Sequence, residues 1–155
     1  MTYYLLLKFL HVIGAAVLLG TGAGIAFFVL MAHRMGNVAV IAGTARIVVI
    51  ADFVFTASAV VLQPVTGTLL ALEAGYPIFE GWIFWSLLLY LVTGGFWLPV
   101  VWMQMRMRDL ADEAVAAGTA LPQEYYKLFR QWFTFGFPAF GAVLAIVWLM
   151  IAKPA

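Results

Sequence analysis

Long uncharged runs of apolar residues alternate along the chain with short charged segments. Four such runs cover about residues 3–31, 47–72, 81–105 and 131–152. Each is near or above the roughly 20 residues that an α-helix needs to cross the hydrocarbon core of a bilayer. Because lipid offers the backbone no hydrogen-bond partners, such runs must be helical. We therefore predict an all-α fold, an integral membrane four-helix bundle, with residues 1–155 forming a single transmembrane domain.

Composition agrees with lipid as the main solvent. Hydrophobic residues make up 66% of the chain and charged residues 10%, whereas a soluble domain carries about 25% charged residues. The net charge of +1 gives no basic surface for nucleic acid. The absence of cysteine excludes disulfides, thiolate metal sites and iron–sulfur clusters built from this chain.

The basic residues predict how the helices are oriented. They gather in the first and third connections: Arg34, Arg46, Arg106, Arg108, Lys127 and Arg130. The second connection contains Glu73 and Glu80 but no basic residue. The positive-inside rule then places the first and third connections in the cytoplasm. We expect a multi-pass protein of a bacterial inner (plasma) membrane, with N-terminus and C-terminus both extracytoplasmic.

Helix signals continue past the third apolar run. Residues 104–117 are good helix formers, and Gly118 is suited to end the helix. The segment Leu121-Pro122-Gln123-Glu124 resembles a new helix start, with proline near the first turn and an acidic residue in it. We predict that the third helix extends beyond the membrane and that the fourth begins near Gln123.

His11 is the histidine that lies deep in a predicted span, about eight residues inside the outer end of the first. At 100° per residue, the small residues Gly14, Ala15 and Gly22 share its face. They would let a neighbouring helix or a flat cofactor approach closely. One interpretation is a histidine hydrogen-bonded to another helix, and the other is an axial ligand of haem iron.

The opposite face of the first helix carries another row of small residues. Ala16, Gly20 and Gly24 recur at four-residue steps, which is typical of close helix packing in membranes. This row permits self-association. Besides the lipid bilayer, a second copy of the chain in a homo-oligomer is therefore one expected partner.

A polar stripe runs along the second apolar run. Its members recur at three- and four-residue steps and share one helical face: Asp52, Thr56, Ala59, Gln63 and Thr66. Gln63 lies at nearly the depth of His11. The two could form a polar pocket in the outer half of the bundle, or the stripe could make ordinary hydrogen bonds between helices.

Asp52 is the acidic member of this stripe and lies in the inner half of its span. An unpaired carboxylate there would be unfavourable. We predict a structural ion pair between Asp52 and Arg130, with Arg46 and Arg34 as other candidate partners. The alternative is a solvated carboxylate near the lipid headgroups.

Five tryptophans near the ends of the predicted spans are typical of interfacial belts. They are Trp82, Trp85, Trp102, Trp132 and Trp148. We therefore expect them at the two membrane surfaces.

Short segments spread over nearly the whole chain resemble one group of membrane proteins. They are Lys8 to His11 in the order Lys-x-x-His, Thr66-Gly67, Gly81-Trp82, Lys127-Leu128-Phe129-Arg130 and Ala152-Lys153-Pro154. These segments resemble motifs of the HemJ-type protoporphyrinogen oxidases and their CopD-like relatives, and the chain looks like a member of the family of predicted integral membrane proteins of unknown function grouped with them. The resemblance implies a haem-b-binding four-helix bundle in which His11 takes the place of the first-helix histidine.

The sequence also departs from the HemJ pattern. Where those proteins carry His and Lys shortly after Gly-Trp, this chain has Phe84 and Ser86. Their Asn-Glu-x-Pro segment is replaced by Phe135-Gly136-Phe137-Pro138. These departures argue against the oxidase activity itself and leave the enzyme class open.

Two functions from different classes follow. The first is a small haem-b-binding membrane protein with a redox or electron-transfer role, whose cofactor-binding residues would be His11, Gly14, Ala15, Gly22 and Gln63, with His11 on the iron. The second is a cofactor-free membrane scaffold or accessory subunit. The sequence specifies neither a substrate nor a redox partner nor a second axial ligand.

Overall fold

Four long helices make up the computed structural model, which describes residues 2–154. They are the first span, Thr2–Met35, the second span, Val38–Glu73, the third span, Gly81–Ala117, and the fourth span, Gln123–Ala152. All four are long and apolar enough to cross a membrane. No strand occurs in the described part of the chain. The prediction of an all-α, four-helix membrane bundle is confirmed.

The helix ends follow local sequence signals. The third span ends at Ala117, and Gly118 adopts a left-handed conformation with a φ of 65°. The fourth span begins at Gln123, directly after Pro122. Both ends are as predicted. The second span begins nine residues before the predicted membrane segment, at Val38, because the Asn37 side chain accepts hydrogen bonds from the first backbone amides of that helix.

The second span is interrupted by one turn of π-helix. It is α-helical over Val38–Ala51 and Ala57–Glu73 and π-helical over Asp52–Thr56. The amide of Ala57 donates to the carbonyl of Asp52, which is the five-residue spacing of a π turn. Asp52 and Thr56 stay buried on either side of three residues that face outward.

The hydrophobic core lies at the predicted inner end of the bundle. Its members come from all four spans and include Ile25, Val48, Met107, Ala111 and Phe129. Here the second, third and fourth helices extend beyond the predicted membrane segments, so water is available to drive apolar burial. This end of the bundle is therefore the tightly packed one.

Large apolar side chains are exposed along the outer faces of all four spans. In a membrane protein such a surface is the lipid contact. Trp85, Trp102 and Trp148 belong to it. Trp132 does not, because it is only 5% exposed and packs in the core. The interfacial assignment of Trp132 was wrong.

Candidate functional site

A cavity of about 250 Å³ lies in the predicted outer half of the bundle. Residues of all four spans and of the connection between the second and third spans line it. Its walls are mainly apolar, and its polar groups include His11, Gln63, Ser86 and Tyr90. The histidine that the sequence singled out lies in its wall.

Hydrogen bonds fix the ring of His11. Its Nδ1 lies 2.9 Å from Oγ1 of Thr66. The Thr66 hydroxyl itself donates to the carbonyl of Leu62 at 2.7 Å. A hydroxyl has one proton, so with that proton on Leu62 the bond to His11 runs from Nδ1–H to Oγ1. Nε2 then carries the lone pair of the neutral imidazole, and no hydrogen-bond partner for it occurs within residues 2–154.

Two glycines allow the first and second spans to meet at this point. A Cβ on Gly67 would lie 3.0 Å from Cε1 of His11, which is tighter than nearly all real contacts. A Cβ on Gly14 would collide with the amide nitrogen of Gln63. The two helices can approach this closely only because glycine has no side chain at either position.

The five residues predicted to bind a cofactor separate into two groups. His11 and Gln63 line the cavity, and the Gln63 amide donates to the His11 backbone carbonyl at 2.8 Å. Gly14 is buried under Gln63, so its space is already filled. Ala15 and Gly22 do not line the cavity, and Gly22 is about 16 Å from His11 along the helix.

Thr66 was not among the residues predicted to bind a cofactor. In the structure Thr66 contacts the His11 ring, whereas Gln63 contacts the His11 backbone. The signal was present, because Thr66 belongs to the polar stripe. That stripe faces the bundle as predicted, with Asp52, Thr56 and Thr66 all buried.

Two lysines line the outer part of the cavity. Lys153 lies over the rings of Tyr76 and Trp82, with Nζ 5.3 Å and 5.9 Å from the ring centroids. Lys8 lies 6.0 Å from the centroid of Tyr4. These distances suit cation–π contacts. The cavity thus combines an apolar interior with cationic groups near the chain ends.

Asp52 does not form the predicted ion pair with Arg130. Asp52 is 4% exposed, and its carboxyl faces the indole nitrogen of Trp97 at 3.5 Å and the amide of Gln104. Arg130 is exposed on the fourth span. The ion pairs among residues 2–154 are three others: Arg46–Asp112, Arg106–Glu124 and Arg108–Asp109. The Asp52 side chain is buried inside the bundle, whereas Arg130 lies on its surface.

The described part of the chain has no group of three or more His, Asp or Glu side chains that could hold a metal ion. His11 is therefore not part of such a cluster among these residues. A single protein ligand suits a metal that is already held by a macrocycle.

The fold and the lipid-facing surface agree with the comparison with known proteins. No curated protein and no solved structure matches the chain. The family model described as Predicted integral membrane protein (DUF2269) matches residues 5–154. Since the match covers nearly every residue, the chain belongs to this family of integral membrane proteins.

Proposed function

We propose that the protein binds haem b in the outer cavity, with the iron on Nε2 of His11, and has a redox or electron-transfer role. The observation behind the proposal is the bond from Nδ1–H of His11 to Thr66. It leaves Nε2 as the basic nitrogen of a histidine that lines the cavity. Ligating histidines usually donate their other ring N–H in this way.

The residues of the cavity suit a flat apolar ring with anionic substituents. The walls are mainly apolar, and Lys8 and Lys153 are placed to pair with the two carboxylates of haem b. The volume of about 250 Å³ is slightly below the roughly 300–1,000 Å³ of small-molecule sites. Binding would therefore include outward movement of the exposed lysine side chains at the outer end.

The HemJ resemblance supports the same site. Lys8 and His11, which form the Lys-x-x-His segment, both line the cavity, and so do Gly67 and Trp82. Ser86, which stands where HemJ proteins have a basic residue, is buried and donates to the Trp82 carbonyl. Without that basic side chain, we propose haem binding and not the protoporphyrinogen oxidase reaction.

Bound haem would supply reversible one-electron chemistry. The protein would contribute the axial nitrogen of His11, the orientation of its ring through Thr66, and an environment of low polarity around the iron. In the described structure no second histidine lines the cavity. His11 would therefore be the one imidazole of the described cavity available to hold the iron.

The test is the absorption spectrum of protein produced with ample haem and purified in detergent. We expect a Soret band in the wild type, its loss in His11→Ala, and about 10-fold weaker haem binding in Thr66→Val, because groups that orient a metal ligand contribute about 10- to 100-fold to affinity. Thr93→Val is the control, since its hydroxyl bonds only to its own helix at Leu89. A wild type without a Soret band, or an unchanged band in His11→Ala, would reject the proposal.

A scaffold or accessory subunit is the second candidate, and the row of small residues on the first span favours it. Ala16 and Gly20 are exposed, and a Cβ on Gly20 would meet no atom within 4 Å. These two members of the row are therefore not packed against another helix of this chain, and they are accessible to a second copy.

Cysteine cross-linking tests this second candidate, because the natural chain has no cysteine. If first spans pair through the row, Gly20→Cys should form a disulfide-linked dimer in membranes under mild oxidation. Ala26→Cys, at an exposed position about 120° around the helix from Gly20, is the control. Equal cross-linking of the two variants would argue against a specific contact.

A further inference from the structure

A second polar cluster lies away from the cavity, around the π turn of the second span. Three polar side chains there are almost fully buried: Asp52 is 4% exposed, Thr56 is 6% and Gln104 is 5%. The indole nitrogens of Trp97 and Trp132 complete the cluster. Burying several polar groups together inside a membrane bundle is unfavourable unless they satisfy one another.

The orientation of Gln104 follows from Trp132. The indole N–H of Trp132 can only donate, and it lies 3.2 Å from the Gln104 amide, so the amide oxygen faces it. The amide nitrogen of Gln104 then points at Asp52 and donates to Oδ2 at 3.1 Å. On the other side, the Trp97 indole faces Oδ1. Both oxygens of Asp52 are thus met by neutral N–H donors.

The positive groups of the neighbouring helices are engaged elsewhere or exposed. Arg46 pairs with Asp112, and Arg106 pairs with Glu124. Arg130 is exposed. The titratable neighbour across the cluster is the phenol of Tyr125, which shares a water-sized cavity with Gln104. No cation within residues 2–154 is in ion-pair contact with Asp52, so the charged carboxylate has no protein counter-ion.

Besides the Asp52 carboxylate without a counter-ion, Thr56 is a second unusual polar group in this cluster. Its hydroxyl oxygen is buried and lacks a well-placed hydrogen-bond partner, and the Asp52 carboxyl is a side chain within its reach. Thr56 lies one turn from Asp52 on the same face of the second span. One proton on Asp52 would remove the buried charge that has no counter-ion, and the new carboxyl O–H would have the Thr56 oxygen as its acceptor.

We propose that Asp52 is a proton-binding site of the inner half of the bundle, occupied at neutral pH, with the carboxyl O–H donating to Thr56. In this step a proton from water adds to one carboxylate oxygen, and no other bond changes. A metal cation does not suit the site, because the N–H groups of Trp97 and Gln104 point at the oxygens that would have to ligate it. π turns inside α-helices frequently occur at functional sites. The proposal is independent of haem.

Infrared spectroscopy of the full-length protein in lipid nanodiscs tests this site. The chain has only three aspartates, Asp52, Asp109 and Asp112, and the other two pair with Arg108 and Arg46. Labelling aspartate with carbon-13 at the side-chain carboxyl therefore isolates very few bands. At neutral pH we expect one C=O stretching band of a protonated carboxyl, shifted to lower frequency in deuterium oxide.

Two variants assign that band. Asp52→Asn, which keeps the shape of the neutral carboxyl, should abolish it, and Asp109→Asn should leave it in place. Thr56→Val should keep the band but raise its frequency, because the carboxyl loses its acceptor. A wild type with carboxylate bands only, a band that survives in Asp52→Asn, or a band that disappears when sodium replaces potassium would each overturn the proposal.

Discussion

The contact between the first and second spans depends on a few small groups around His11. Gln63 bonds to the backbone of His11 and Thr66 bonds to its ring. Each hydrogen bond in a membrane protein contributes only about 0.6 kcal/mol on average. The two hydrogen bonds therefore matter mainly because they position His11: one holds its backbone and the other holds its ring.

Gly14→Ala tests how closely the helices must approach. The new methyl group would displace the Gln63 amide and press on Leu62. Gln63 is flexible, but moving it breaks its bond to the His11 carbonyl. We expect a loss of roughly 0.6 kcal/mol in unfolding free energy, the average contribution of one hydrogen bond in a membrane protein, measured as a lower melting temperature in detergent.

Gly22→Ala is the matched control in the same helix. A Cβ there would meet no atom within 4 Å, and replacing glycine by alanine inside a helix is favourable by roughly 0.5–1 kcal/mol. Its melting temperature should be unchanged or slightly higher. Equal destabilisation by the two substitutions would show that the contact at Gly14 is not specific.

At the scale of the helix, the π turn decides which faces of the second span meet the bundle. The turn inserts one residue into the helix, so Phe53, Val54 and Phe55 all face outward and are more than half exposed. Asp52 and Thr56 remain buried on either side. The residues after the turn, including Gln63 and Thr66, keep the register that brings them to His11.

Deleting Val54 should convert the π turn into regular α-helix. Because the turn contains one extra residue, its removal leaves the helix segments on both sides in place. We expect the variant to insert, fold and melt within a few degrees of the wild type, with Asp52 the residue most affected. The measurement is thermal unfolding followed by circular dichroism.

Deletion of Val61 is the comparison, since Val61 is also an exposed valine of the second span. It lies in regular α-helix, where removing one residue rotates everything that follows by about 100°. Gln63 and Thr66 would turn away from His11, so this variant should lose its cooperative melting. A Val54 deletion as damaging as the Val61 deletion would show that the π turn is not a removable insertion.

The whole molecule is packed unevenly from one end to the other. The core lies at the predicted inner end and the cavity at the outer end. Apolar burial is driven by water, and lipid supplies no such force between helices. The inner extensions carry exposed ion pairs such as Arg46–Asp112 and continue into the packed core, whereas the outer half contains the cavity.

Reporter fusions test the predicted orientation of this asymmetric bundle. Alkaline phosphatase is active only outside the cytoplasm, so it should be active after Ala155 and inactive after Gly118. The reason is the excess of Lys and Arg in the first and third connections. The opposite pattern would invert the assignment and place the cavity on the cytoplasmic side.

Local chemistry determined much of the fold from the sequence alone. Apolar length gave four helices, Gly118 and Pro122 marked helix ends, and the three- and four-residue spacing of the polar stripe identified the face that meets the bundle. These features depend on residues close together in the chain and on the surrounding lipid. His11 could also be identified from the sequence alone, because a histidine deep inside an apolar run stands out in the hydropathy pattern.

Only the tertiary structure decided which groups meet across helices. A sequence specifies the depth of Asp52 and Arg130 but not the rotation of one helix about another, so the ion pair was expected where Gln104 and Trp97 lie instead. The π turn was invisible for the same reason, since it changes rotation without changing hydropathy. Thr66 at the His11 ring, and Trp132 in the core, likewise depend on contacts between distant segments.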